Sequence, residues 1–282
     1  MRLCRIGPET APQAAFYFDT QVLPLAVALL GYGKPLDIPA GDDLLELAAS
    51  PNVRALFEWA NLIPDFVGAV PLSAAELLVP VPKPNKIFLL AGNYAEHVIE
   101  RGGTVAERTE TFPYVFMKPP STTLTHPGRP VVIPKNAPEG VDWELELAVV
   151  IGKRCKNVSE ADALNYVVGY TALNDITQRK FKPNPGRKKR ERDVFFDWLH
   201  GKWFDTFCPC GPCLVTANAI PEYSTWKPAT ISDSPSETSN GARLVSATPD
   251  IRYTTNIGSN GNQFQDKKLR PHSANRPWFC TL

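Results

Sequence analysis

The spacing of apolar positions changes character twice along the chain. Between Asp42 and Ile63 they recur at helical intervals, in D-D-L-L-E-L-A-A-S and in N-V-R-A-L-F-E-W-A-N-L-I, which predicts helices there. From Val79, V-P-V-P-K-P-N breaks that pattern, since proline cannot continue a helix. A small α/β N-terminal domain, residues 1–80, is expected to end near Val81. From Lys86 the texture becomes β-like: K-I-F-L-L-A-G, Y-V-F-M-K-P-P, P-V-V-I-P, W-E-L-E-L-A-V-V-I-G and N-Y-V-V-G-Y-T-A-L-N-D are short runs rich in Val, Ile, Phe and Tyr, bounded by Gly, Pro and Asn. They predict a mainly β domain over residues 81–222. The last sixty residues, Tyr223 to Leu282, hold nine Leu, Ile, Val and Phe among many Ser, Thr, Asn and Pro. So little apolar surface does not offset the entropy of ordering, and residues 223–282 are expected to be poorly ordered.

Composition narrows the picture. The 282 residues, 43% hydrophobic, suffice for one large domain, alone or with a small one. Lys and Arg number 30 against 29 Asp and Glu, so no overall field would recruit nucleic acid or an anionic membrane. The longest apolar stretch, Val22 to Tyr32, is too short to span a bilayer, and the start M-R-L-C-R-I-G-P-E-T lacks the apolar core of a secretory signal. A cytoplasmic location is expected. Of six cysteines, three lie in F-C-P-C-G-P-C. A zinc site needs further ligands, commonly a second pair, and none is visible, so this run reads as a turn of small reduced thiols.

Chemistry concentrates in V-D-W-E-L-E-L-A-V-V-I-G. In a strand, Trp143, Leu145 and Leu147 point one way and Glu144, Glu146 and Ala148 the other, so two carboxylates project side by side. Such a pair either flanks a hard divalent cation or forms the solvated charged face of an edge strand. Asp175, ending the run Y-V-V-G-Y-T-A-L-N-D, is a third carboxylate that favours the cation. In A-G-N-Y-A-E-H-V-I-E, His97 and Glu100 stand three apart, on one face if a helical turn begins at Asn93. They form either a surface ion pair or a base held by its carboxylate.

Taken in order, A-G-N-Y-A-E-H-V-I-E, F-M-K-P-P-S-T, E-L-E, L-N-D-I-T-Q-R and G-K-W-F-D-T-F-C-P-C-G-P resemble the fumarylacetoacetate hydrolase superfamily, over about residues 80–222. The resemblance implies a mixed β-sheet roll or barrel as catalytic domain. It implies a divalent ion, Mg²⁺ or else Mn²⁺ or Ca²⁺, on Glu144, Glu146 and Asp175. It makes His97 and Glu100 the dyad that activates water, Lys202 the stabiliser of a departing enolate, and Arg179, Asn93 and Tyr94 the substrate contacts. The implied reaction is hydrolysis of a C–C bond in a 2,4-dioxo acid of the acylpyruvate type, such as fumarylpyruvate or fumarylacetoacetate, by a homodimer in aromatic catabolism. Decarboxylation of an oxaloacetate-like acid, isomerisation of an oxo acid, and a degenerate chain without activity are the alternatives.

Two features depart from the family pattern. Where members often carry glutamine, Lys182 stands, inside K-F-K-P-N-P-G-R-K-K-R-E-R, in which seven of thirteen residues are basic. That run reads as a solvated loop or as a lid for an anionic substrate, and without an aromatic platform it does not read as a nucleic-acid site. Past Pro221 the family pattern stops, as it would after a shift of reading frame.

Overall fold

The computed structural model describes residues 1–91 and 114–220 and, beyond them, the backbone of three short strands. The chain opens with an antiparallel meander, β1 (Arg2–Ile6), β2 (Gln13–Tyr17) and β3 (Gln21–Pro24). Side chains alternate across it. Leu3, Ala14, Phe16 and Leu23 enter one apolar cluster, while Cys4, Ile6, Ala15, Tyr17 and Val22 enter another on the opposite face. Helices α1 (Leu25–Tyr32), α2 (Leu44–Ala49) and α3 (Pro51–Ala60) supply most of the rest of the first cluster, which Met1 and Leu214 complete. In α3 the local signals agree: Ser50 caps the N-terminus by accepting from Val53 N at 3.3 Å, Pro51 takes the first turn, and Val53, Leu56 and Ala60 turn inward. The apolar run Val22–Tyr32 divides between β3 and the eight-residue α1, and no helix among the described residues is long and apolar enough to cross a membrane.

After β4 (Val70–Pro71) and β5 (Leu77–Leu78), β6 (Ile87–Ala91) pairs antiparallel with β7 (Tyr114–Lys118). There follow β8 (Leu124–Thr125), β9 (Val141–Asp142), β10 (Leu145–Ile151), β11 (Val167–Asn174), β12 (Thr177–Gln178), helix α4 (Asp193–His200) and β13 (Cys208–Thr216). Nine strands form one sheet with the main order β10-β11-β13-β1-β2-β3-β4, and β5 and β8 attach to β1 and β13. The fold is mostly β around this largely antiparallel sheet. The boundary expected near Val81 lies between β5 and β6, and the sheet runs across it, with Leu3 of β1 opposite Leu214 of β13. Within 223–282, β14 (Thr230–Ile231), β15 (Arg243–Val245) and β16 (Arg252–Thr254) form a three-stranded antiparallel sheet, and the remainder lies outside the described residues.

Two segments differ from their sequence reading. The cysteine run is a central strand rather than a turn: Cys208–Thr216 is buried throughout, between β11 and β1 and beside β8. Proline normally bars such a position because it cannot donate to the ladder. Here the register with β11 slips between Tyr170 and Ala172, opposite Val215 and Gly211, and that irregularity takes up Pro212. Conversely P-V-V-I-P forms no strand. Prolines at both ends remove donors, and the segment is held by Val132 N donating to Thr206 Oγ1 at 2.8 Å and by Val131 packing with Ile176 and Phe207.

Candidate active site

The end of β11 and the start of β10 deliver the first two groups. Glu144, just ahead of β10, is fixed by its backbone: its N donates to Asn174 Oδ1 at 3.0 Å, and its carbonyl accepts from Asp175 N at 2.8 Å. The alternation expected along this stretch is present, since Trp143 and Leu145 pack into one cluster and Ala148 into another, with Leu89 and Phe116 of β6 and β7. Glu144 and Asp175 are thereby brought to one spot between the large sheet and the β6–β7 pair.

Lys202 binds them together. It follows α4, where its N donates to Leu199 O at 3.1 Å, and its Nζ reaches Glu144 Oε2 at 3.2 Å, Thr177 Oγ1 at 2.8 Å and Asp175 Oδ2. The same ammonium lies 4.8 Å from the ring centre of Phe116 and 5.2 Å from that of Trp198, two faces that favour a cation. Gly201 permits this approach. A Cβ there would stand 2.3 Å from Gln178 O, and Gln178 N donates to Gly201 O at 2.8 Å.

Second partners complete the charge balance. Arg179 ion-pairs with Glu144 Oε1 and, at 3.1 Å, with Asp142 Oδ2. Burial works against its charge most strongly, but the two carboxylates outweigh it and raise the guanidinium above its ordinary value. Lys118, ending β7 and wholly buried, donates to Ile176 O at 2.8 Å and Lys202 O at 2.7 Å, and pairs with Asp175 Oδ1 at 2.8 Å. Burial pushes this ammonium below its ordinary range, and Asp175 pulls it partly back. Three carboxylates, Asp142, Glu144 and Asp175, thus face three cations, Lys118, Arg179 and Lys202.

Of the residues expected from sequence, the structure brings Glu144, Asp175, Lys202 and Arg179 into one network. Glu146 is half-buried on β10 opposite Leu173, and among the described residues no three His, Cys, Asp or Glu side chains converge as a metal-binding set. Asn93, Tyr94, His97 and Glu100 lie outside the described residues, in the stretch joining β6 to β7. The basic run is tied to α4: Arg187 pairs with Asp193 at 3.2 Å and Asp197 at 2.7 Å, and Arg190 N donates to Asp193 Oδ2 at 2.8 Å, while the side chains of Lys182, Lys188, Lys189, Arg190 and Arg192 are exposed. Lys118, Thr177 and Asp142 were not singled out by sequence. For Lys118 no local signal was available, since the run Y-V-F-M-K leaves Tyr114, Val115 and Met117 exposed and gives no sign that its lysine is buried.

The donor chemistry fits a hard divalent cation. Glu144 Oε2 and Asp175 Oδ2 converge on a single cationic nitrogen, and paired carboxylate oxygens are what Mg²⁺ or Mn²⁺ takes.

Comparison with known proteins places this geometry. The chain is 41% identical over 148 residues to the mitochondrial oxaloacetate tautomerase fahd2 of Xenopus laevis, which covers 52% of this chain and 42% of that protein. With the mitochondrial oxaloacetate tautomerase Fahd2a of Rattus norvegicus it shares 37% over 175 residues, 62% of this chain and 49% of the relative. The match therefore spans about half the length of these relatives. Among solved structures, maleylpyruvate hydrolase from Sphingobium sp. SYK-6, determined with manganese(II) and pyruvate, superposes with a TM-score of 0.53 at 28% identity, over 80% of this chain and 71% of that one. A probable 2-hydroxyhepta-2,4-diene-1,7-dioate isomerase from Mycobacterium abscessus gives 0.51 at 29% identity, over 80% and 68%. The family model described as fumarylacetoacetate (FAA) hydrolase C-terminal matches residues 86–272, running past Glu222, where the resemblance read from sequence ended. That span exceeds half of the 282 residues and contains the whole carboxylate and lysine network, so the chain belongs to the fumarylacetoacetate hydrolase family.

Proposed function

We propose that the chain is a divalent-metal-dependent enzyme acting on oxo acids, and that it hydrolyses a C–C bond in 2,4-dioxo acids of the acylpyruvate type. The observation that carries the reading is the convergence of Glu144 and Asp175 on the Lys202 ammonium, in a site where Asp175 and Lys202 are buried. Glu144 and Asp175, with Glu146, would hold the ion. Bound there, a Mg²⁺ or Mn²⁺ ion would supply Lewis acidity to the keto oxygen next to the substrate carboxylate. Arg179 keeps Glu144 oriented through Oε1, which leaves Oε2 turned to the cation side. The imidazole of His97, oriented by Glu100, takes a proton from water as that water attacks the distal carbonyl. Breaking the C–C bond leaves an enolate, and the Lys202 ammonium offers it a charged donor in a site poor in water.

A second reading, interconversion of the keto and enol forms of an oxaloacetate-like acid, is favoured by the names of the relatives that share 37–41% identity. It needs the same enolate stabilisation but no attacking water. Product analysis by NMR with an acylpyruvate and with oxaloacetate separates the two. Hydrolysis yields pyruvate and a carboxylic acid and is abolished in His97→Ala. Enol–keto equilibration with no consumption of substrate, surviving in His97→Ala, would replace the first reading by the second, and release of CO₂ from oxaloacetate would point to decarboxylation.

A homodimer in the cytoplasm is part of the same proposal. On edge strand β10, Leu147, Val149 and Ile151 expose 36%, 50% and 43% of their surface, a period-two apolar stripe on a strand with a free ladder side among the described residues. A second copy of the chain fits it. Light scattering should give twice the chain mass for the wild type and one chain mass for Val149→Asp, and a monomeric wild type would contradict the assembly.

A further inference from the structure

We propose that Lys118 is a positioning residue for the cation site, a role that rests on the metal-dependent reading above. Its ammonium is wholly buried and makes three contacts, each with a different part of the machinery: Asp175 Oδ1 at 2.8 Å, Ile176 O at 2.8 Å and Lys202 O at 2.7 Å. The first commits one oxygen of Asp175, so that carboxylate presents only Oδ2 to the side where Glu144 and Lys202 meet. The second fixes the chain just after Asp175. The third fixes the backbone of Lys202, from which the Nζ must reach Glu144, Asp175 and Thr177 together. Two hydrogen bonds to carbonyls and an ion pair to Asp175 thus tie this ammonium to the groups that set the geometry. An isosteric apolar chain at this position would fill the space yet free Asp175 to rotate, and would leave two carbonyls without a donor. Lys118 does not touch the reacting atoms in this scheme. It acts through Asp175 and Lys202, as outer partners of metal ligands do.

The test is a Mn²⁺ titration followed by electron paramagnetic resonance, without substrate, on the full chain as wild type, Lys118→Met and Thr123→Val. Thr123 is equally buried, bonds Pro119 O at 2.6 Å and the Cys208 thiol, and makes no hydrogen bond to Glu144, Asp175 or Lys202, so it controls for a general loss of packing. The expected result is Mn²⁺ affinity about ten- to a hundredfold weaker in Lys118→Met and unchanged in Thr123→Val. If Lys118→Met does not fold, Lys118→Gln is read in the same titration with the same expectation. Wild-type affinity in the Lys118 variant overturns the proposal, as does equal weakening in Thr123→Val, which would make the effect one of packing. A wild type that binds no Mn²⁺ removes the metal reading itself, a failure distinct from the other two.

Discussion

Asp175 shows how much one residue settles. Its side chain is 3% exposed and meets two ammonium groups, one on each oxygen, so its charge is compensated where water cannot do it. The buried thiols nearby follow the opposite rule. Burial pushes Cys210 up to about 12 and raises Cys208 as well. The unfolded thiol loses its proton near 9, and the folded one keeps it, so the unfolded chain binds fewer protons above that pH and stability falls as pH rises from about 9 towards 12. Thermal melts from pH 8 to 10.5 should show that decline in the wild type and a shallower one in a Cys208→Ala, Cys210→Ala double variant. An equal slope in both would show that the thiols are not its source. The clustering of Glu144, Asp175, Arg179 and Lys202 was legible because each sits in one of the ordered motifs on which the family resemblance rests. Lys118 was not, because nothing local in F-M-K-P-P tells a buried lysine from a solvated one, and its partners are 57 to 84 residues away in sequence.

Elements set these residues by close approach. The turn after α4 meets β12 with no room to spare: a Cβ on Gly201 would lie 2.3 Å from Gln178 O and 3.2 Å from Trp198 O, both backbone atoms that cannot swing aside. Gly201→Ala is therefore expected to cost about 1–3 kcal/mol of stability and to lower turnover by moving Lys202 off its carboxylates. Urea unfolding and steady-state kinetics would check both, and a variant matching the wild type in each would show that the turn is free to adjust. Helices α2 and α3 could be read from sequence because spacing and caps coincide at Asp43, Ser50 and Pro51. Strand β13 could not. Pro209 and Pro212 are local signals for a turn, and the irregular pairing with β11 that accommodates Pro212 is a property of the partner strand.

At the scale of the molecule, the chain builds its site on a sheet that joins its beginning to its middle. Strand β1 seals one side of β13 and β11 the other, so the N-terminal segment helps to hold the strand that precedes Asp175 in space. A break in composition near Val81 reads as a boundary, whereas pairing between residues more than two hundred apart leaves no local trace. With a formal net charge of +1, the molecule has no overall field to gather an anionic ligand. The most direct measurement is turnover of a 2,4-dioxo acid, followed by the loss of its enol absorbance, after removal of metal with EDTA and again after addition of Mn²⁺, for the wild type and for Lys202→Met. The expected result is wild-type activity lost on chelation and restored by Mn²⁺, with Lys202→Met slower by about 10²–10³ under restored conditions. Turnover that ignores chelation, or a Lys202→Met enzyme as fast as the wild type, would contradict a metal-dependent site built on Glu144, Asp175 and Lys202.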